Sequence, residues 1–179
     1  MNPAWLGPIR QIGYVVDSVD AAMAHWTRHT GIGPWTCFRN VTMEGQQHGE
    51  GTHIRMNVGL AYQGELQIEL IEPLNDTPSP YRGANGCLLV GMHHIAWLSR
   101  NLEHDIARVT ASGLEMCFQG GNASTRVAYL EQPGLPGTRF ELIQVTDEVE
   151  AMFLRGIEVS RSWDGGYHVE DINLDQTGN

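Results

Sequence analysis

Apolar positions fall into short runs separated by Gly, Pro and Asn, and two spacings recur along the chain. Arg10–Val16, Trp35–Met43, Thr52–Ala61 and Leu66–Glu72 are rich in Ile, Val and aromatic residues and read as strands. Between the first two, Val19, Ala22, Met23 and Trp26 recur at helical spacing. Asp17-Ser18 offers a cap ahead of them, and Gly31 to Pro34 stops the run, which predicts a helix over Val19–His29. Glu44–Gly51 is a polar loop or hairpin, and Gly64 marks a short turn. Pro73 to Asn85, with three prolines, reads as a linker.

The pattern then starts again. His93–Leu98 is a strand. Leu102, Ile106 and Val109 form the apolar stripe of a helix over Asn101–Thr110, which Gly113 ends. Leu114–Gln119, Arg126–Leu130 and Arg139–Val145 complete a second set of three strands. Gln11-Ile12-Gly13 matches His94-Ile95-Ala96, and Glu69-Leu70-Ile71 matches Glu141-Leu142-Ile143. Each half leaves a sheet face that needs a neighbour, so the expected class is α+β, with two βαβββ modules joined into one curved, cleft-bearing mixed sheet. The expected boundaries are 9–73 for the first module, 74–90 for the linker, 91–145 for the second and 146–179 for a C-terminal extension, all one integrated domain. In the extension Val149, Met152, Phe153 and Ile157 predict a short helix packing on the domain or on a partner. Asp171 to Asn179 is polar and expected to fray.

The candidate chemistry lies in polar residues inside apolar strands. Gln11, Glu69, His94 and Glu141 occupy matched positions of the two halves, and each is costly in a strand face unless paired or metal-bound. Alternation puts Gln67, Glu69 and Ile71 on one face and Arg139, Glu141 and Ile143 on another. If both faces line the cleft, two carboxylates point inward and invite a cation. One imidazole, one amide and two carboxylates form an N/O ligand set that suits a divalent metal: Zn, Ni, Co, Mn or Fe(II).

Composition narrows the partners. The net charge of -10, from 11 basic against 21 acidic residues, leaves no basic run for nucleic acid or an anionic membrane surface. The 18% charged content is below the usual level of about 25%, and with 21 glycines it favours turns and strands over long surface helices. Cys37, Cys87 and Cys117 are widely spaced with no CxxC pair, as expected of reduced thiols. No signal peptide and no apolar run long enough to span a membrane is seen, so a cytoplasmic location is expected.

Ile9-Arg10-Gln11-Ile12-Gly13-Tyr14-Val15-Val16-Asp17, Glu69-Leu70-Ile71-Glu72-Pro73, Gly91-Met92-His93-His94-Ile95-Ala96 and Gly137-Thr138-Arg139-Phe140-Glu141-Leu142-Ile143 resemble the vicinal-oxygen-chelate superfamily. That superfamily includes glyoxalase I, methylmalonyl-CoA epimerase, extradiol dioxygenases and bleomycin resistance proteins. The resemblance spans roughly residues 9–145 and implies the glyoxalase/bleomycin resistance fold, with metal ligands at Gln11, Glu69, His94 and Glu141. The order Gln–Glu–His–Glu is similar to glyoxalase I, while the surroundings of His93 and His94 are closer to the epimerase. Gln11 departs from the two-His, one-carboxylate iron site, so Fe(II) is less favoured than Zn, Ni, Co or Mn. The implied activity is a metal-dependent isomerase or epimerase working by proton transfer next to a carbonyl, through a metal-stabilised enediolate. A glyoxalase-like lyase, a metal-poor small-molecule binding protein, and ring opening or oxygenation are the alternatives. Glu141 is the first candidate base and Glu69 the second. Trp35, Phe38, Arg55, Trp97 and Arg126 are candidate substrate contacts, with Met43 and Tyr129 nearby. An exposed sheet edge and the apolar C-terminal stripe, together with the family resemblance, favour a homodimer.

Overall fold

The computed structural model describes residues 5–135, 137 and 139–176. Two βαβββ units follow one another. The first is β1 (Gln11–Val15), α1 (Val19–Thr30), β2 (Trp35–Gln47), β3 (Glu50–Gln63) and β4 (Leu66–Pro73). The second is β5 (Gly91–Ser99), α2 (Leu102–Ala111), β6 (Glu115–Gly121), β7 (Arg126–Glu131) and β8 (Arg139–Gln144). The strands lie in the order β3-β4-β1-β5-β8-β7-β6-β2, and β2 also bonds to β3, so the sheet curls until it closes on itself. The two units meet where β1 and β5 run antiparallel. On either side β1 pairs in parallel with β4, and β5 with β8.

The helices start and stop for local reasons. Ser18 caps α1 by accepting from the Ala21 N–H at 3.3 Å, and Gly31 ends the helix with φ 70°. Asn101 caps α2 in the same way through the His104 N–H at 3.2 Å. Helix α1 buries Val19 and Met23 on one outer face of the sheet against Trp35, Cys37, Ile68 and Leu70. Helix α2 buries Leu102 and Val109 against Ala128, Leu130 and Leu142. The third cluster fills the concave side, with Val15, Met56, Val58, Tyr62, Phe118, Val127 and Ile143 among its members. The polar stretch before residue 51 proves to be a tight hairpin, because β2 continues to Gln47 and β3 begins at Glu50. His53 therefore lies on a strand, its Nδ1 2.5 Å from Glu44 Oε1 across the ladder.

The C-terminal extension carries the expected helix and departs from expectation only after it. Helix α3 (Asp147–Ser162), capped by Thr146, buries Val149, Phe153 and Ile157 in the concave cluster of its own chain. Strand β9 (Val169–Asn173) and a 3₁₀ turn over Leu174–Gln176 follow, where fraying was expected; Thr177–Asn179 lie outside the described residues. Strand β9 pairs in parallel with the first half of β2, Trp35 opposite Val169 through Arg39 opposite Asn173, and Arg39 Nε binds Asp171 at 2.6 Å. Backbone pairing and a salt bridge, neither visible as hydrophobic periodicity, order this segment. The apolar C-terminal stripe packs within the chain, and β9 covers part of one edge of β2.

Helix α3 fits because residue 156 is glycine. A Cβ there would lie 2.0 Å from Tyr62 Cε2, inside the contact between α3 and β3. Alanine is the better helix former by about 1 kcal/mol, but overpacking a tight contact costs about 1–3 kcal/mol. Gly156→Ala is therefore expected to lower Tm by a few degrees in calorimetry rather than raise it. A higher Tm would mean that α3 does not dock closely on Tyr62.

Candidate metal centre

Four adjacent strands each contribute one side chain to a single point on the concave side: Glu69 from β4, Gln11 from β1, His94 from β5 and Glu141 from β8. His94 Nε2 lies 3.1 Å from Gln11 Oε1, 3.2 Å from Glu69 Oε2 and 3.0 Å from Glu141 Oε2. The pairing explains the convergence. Gln11 faces Ala96 across β1 and β5, and His94 faces Gly13, so each long side chain lies opposite a small residue. Glu69 is beside Gly13 on β4, and Glu141 is beside Ala96 on β8. A pseudo-twofold between the two units relates the two halves of this set.

Two local features aim the imidazole. The β1–β5 register shifts between Gly13 and Tyr14, where His93 is the extra residue, so both histidines turn into the interior. Gly13 leaves room for the ring: a Cβ there would lie 1.9 Å from His94 Cε1 and 2.2 Å from its Nε2.

The surrounding hydrogen bonds fix which atoms point inward. Burial, with His94 adding to it, pushes the His93 pKa down to about 3, so its ring is neutral. His93 Nε2 is 2.7 Å from the Pro80 carbonyl and must carry the proton. Arg139 Nη1 is 3.2 Å from the same nitrogen, but donor faces donor there and no bond forms. His93 Nδ1 is then an acceptor, and His94 Nδ1, 3.0 Å away, donates to it. That leaves His94 Nε2 as the pole facing the three oxygens. On β1, Gln11 Nε2 donates to Gln67 Oε1 at 2.7 Å, and Gln67 Nε2 donates to Tyr62 Oη at 2.5 Å. This chain turns Gln11 Oε1 toward His94.

A cation suits this arrangement better than hydrogen bonds do. One N–H cannot satisfy three acceptors, and Glu141 Oε2, fully buried, has no hydrogen-bond partner despite its distance from His94. Burial holds the Glu69 carboxyl above the ordinary carboxylate range; His94 opposes that shift and Glu141 adds to it. Among the described residues Glu69, His94 and Glu141 form the one His/Cys/Asp/Glu group able to hold a metal ion, and Gln11 adds a neutral oxygen. The set is all N and O with no thiolate, the donor chemistry of a divalent first-row cation.

The centre forms the floor of a cavity of about 230 Å³, with Gln11, Gln67, Glu69 and Glu141 in its lining. Phe38 and Met43 line it, as does Tyr129, whose ring stands edge-on to His94 with centroids 5.2 Å apart. The other substrate candidates lie elsewhere. Trp35 is buried under α1, and Trp97 stacks on Phe140 beneath α2, because both occupy outward-facing strand positions. Arg55 is exposed, and Arg126 binds Glu103 of α2 at 2.6 Å. Tyr81, from the segment joining the two units, reaches the cavity and places its Oη 3.3 Å from that of Tyr129. Burial raises the pKa of both phenols, which stay protonated. Sequence reasoning missed Tyr81, Gly13 and the anchoring roles of His93 and Gln67. The small residue two places after Gln11, matching Ala96 after His94, was the available signal for Gly13.

Residues 10–129 match the profile of the Glyoxalase/Bleomycin resistance protein/Dioxygenase superfamily. The chain belongs to this superfamily. Gln11, Glu69 and His94 fall inside the matched span, and Glu141 lies beyond it. Solved structures agree on the fold. A hypothetical protein from Bacillus halodurans C-125 is 23% identical with TM-score 0.55, over 78% of this chain and 95% of that one. Methylmalonyl-CoA epimerase from Mycobacterium tuberculosis is 15% identical with TM-score 0.53, over 84% and 96%. A variant of the Streptomyces coelicolor methylmalonyl-CoA epimerase, in complex with 2-nitronate-propionyl-CoA, is 18% identical with TM-score 0.51, over 78% and 94%. No curated protein matches the chain significantly. Among the described residues no helix is long and apolar enough to cross a membrane.

Proposed function

We propose that this superfamily member is a divalent-metal-dependent enzyme of isomerase or epimerase type, which moves a proton at a carbon beside a carbonyl. The supporting observation is the meeting of three side-chain oxygens on His94 Nε2, at 3.0–3.2 Å, on the floor of a cavity open to solvent on one side. A divalent cation held by Gln11, Glu69, His94 and Glu141 would supply Lewis-acid stabilisation for charge developing on a carbonyl oxygen. The protein's own groups supply the rest. His94 and Gln11 are locked by His93 and by Gln67, so their donor atoms stay in place while a substrate enters.

Glu69 and Glu141 approach His94 from β4 and β8, one from each unit, which provides a proton acceptor and a proton donor on two sides of a bound carbon. A carboxylate held tightly by a cation is a poor base, so the base is the one with surface to meet substrate. Glu69 has 15% of its side chain exposed and Glu141 has 4%. We therefore assign proton removal to Glu69, which would leave the cation to accept the proton, and proton return to Glu141, which would first take a proton from solvent; this reverses the order expected from the family resemblance.

Solvent deuterium exchange at the substrate carbon tests this with a panel of acyl-CoA epimers, hemithioacetals and aromatic ketones. Exchange is expected only with metal-loaded protein. Glu69→Gln is expected to slow it by about 10²–10⁴-fold, the usual worth of a positioned general base, with substrate binding little changed. Unchanged exchange in Glu69→Gln would remove that residue from the role. Exchange that is independent of metal would sink the reading as a whole.

A further inference from the structure

The inference concerns the substrate class of the site just described and takes from that reading only that a carbonyl group faces the cage. Above the polar floor the cavity wall is apolar: Phe38, Met56, Val58, Val127, Ile143 and Phe153 carry most of it. Its remaining polar edge is the neutral turn Asn122, Ser124 and Thr125, between β6 and β7.

Among the described residues no arginine lines this space. The chain has no lysine, so all 11 of its basic residues are arginines. Arg10 lies over the Phe153 ring at 5.9 Å, outside the cavity lining, and Arg139 pairs with Glu131 at 3.6 Å. The carboxyl groups that line the cavity are Glu69 and Glu141, whose negative charge a divalent cation would offset. An anionic group placed against the wall would be buried without a partner, which is strongly unfavourable.

Size agrees. An apolar cavity of about 150 Å³ is enough to admit benzene, so about 230 Å³ takes one ring and a few further atoms inside the walls, the cavity being open to solvent on one side. Drug-sized ligands usually need about 300 Å³ or more. Val149, Met152 and Phe153 of α3 form the roof.

We propose that the site takes a small, uncharged, largely apolar carbonyl compound with its oxygen toward His94 and its hydrocarbon part against the Phe38–Phe153 wall. A phosphate-bearing group is disfavoured against this wall, because no arginine lines it and Arg155, in the adjoining pocket that shares Phe38, Leu60 and Met152, is paired with Glu170 at 3.9 Å.

Isothermal titration of the zinc-loaded full chain tests this with three probes. Acetophenone is an uncharged ketone, 4-acetylbenzoate is the same ketone with a carboxylate at its far end, and propionyl-CoA carries phosphates. The expected result is saturable one-to-one binding of acetophenone, with 4-acetylbenzoate and propionyl-CoA at least tenfold weaker. Val127→Phe, which fills the wall, should weaken acetophenone at least tenfold, with circular dichroism checking that it folds. If Val127→Phe does not fold, the three-probe comparison on the unaltered chain decides by itself. Binding of 4-acetylbenzoate or propionyl-CoA as tight as acetophenone, or no saturable acetophenone binding, would overturn the proposal. Because the readout is binding, it separates from the reaction: ketone binding without deuterium exchange defeats only the catalytic reading. Tight acyl-CoA binding with exchange defeats only this one.

Discussion

Gly13→Ala is expected to weaken divalent-metal binding by about 100-fold or more, although the new side chain is a single methyl on a residue that offers no ligand. The added Cβ would lie 1.9 Å from His94 Cε1, 2.2 Å from Nε2 and 2.5 Å from Nδ1. These are ring atoms, so no flexible chain end can swing aside. The ring is fully buried, bonded through Nδ1 to His93 at 3.0 Å and packed against Tyr129 with centroids 5.2 Å apart. Either the imidazole tips and takes Nε2 away from the three oxygens, or β1 and β5 separate at the seam between the two units. Overpacking of this kind costs about 1–3 kcal/mol of stability. Disturbing the support of a metal-binding histidine costs about 10–100-fold in affinity even without a direct clash. Metal content after dialysis against a weak chelator, together with a zinc titration, reads the result. An affinity within threefold of the unaltered protein would show that His94 is not held over Gly13.

The architecture was legible because both modules announce themselves in the alternation of apolar residues. The four cage residues were legible because polar side chains interrupt that alternation at matched places. Two things escaped. Which face a strand residue uses depends on the local register. Trp35 and Trp97 were candidate substrate contacts, yet they face α1 and α2. Phe38 does reach the cavity; β2 shifts register beyond it, between Phe38 and Val41. The bulge at His93 is likewise invisible in composition, yet it brings two consecutive histidines to the same side. Long-range pairing was the other blind spot. Strand β9 exists through its ladder with β2 and the Arg39–Asp171 bridge, and Tyr81 reaches the cavity from a proline-rich linker anchored by Thr52 Oγ1 on the Pro78 carbonyl at 2.6 Å. Neither depends on sequence neighbours.

His94→Ala is expected to have the largest effect, because this ring balances the two carboxylates when no metal is bound. Burial alone would lower its pKa, but the charge and hydrogen bond of Glu141, with those of Glu69, outweigh it and raise the value from 6.5 to about 9. In metal-free protein the ring is therefore an imidazolium at neutral pH. A raised folded-state pKa gives stability that is fully present below pH 6.5 and lost as pH climbs through about 9. Tm of the metal-free protein should accordingly fall across that window, and a saturating divalent cation should flatten the fall by taking over from the proton on Nε2. His94→Ala removes both counter-charges. Leaving a buried charge unpaired costs about 3–5 kcal/mol, and at about 2–4 °C per kcal/mol for a chain of this size Tm should drop by roughly 10 °C. The drop should be greatest near neutral pH, and added zinc should not reverse it. His93→Ala is the contrast: it keeps Nε2 but frees the ring, so zinc should still stabilise the protein, with affinity reduced by about 10–100-fold. If His94→Ala retained one equivalent of zinc and the stabilisation it brings, the carboxylates would not be meeting a cation at this imidazole, and the centre would lie elsewhere.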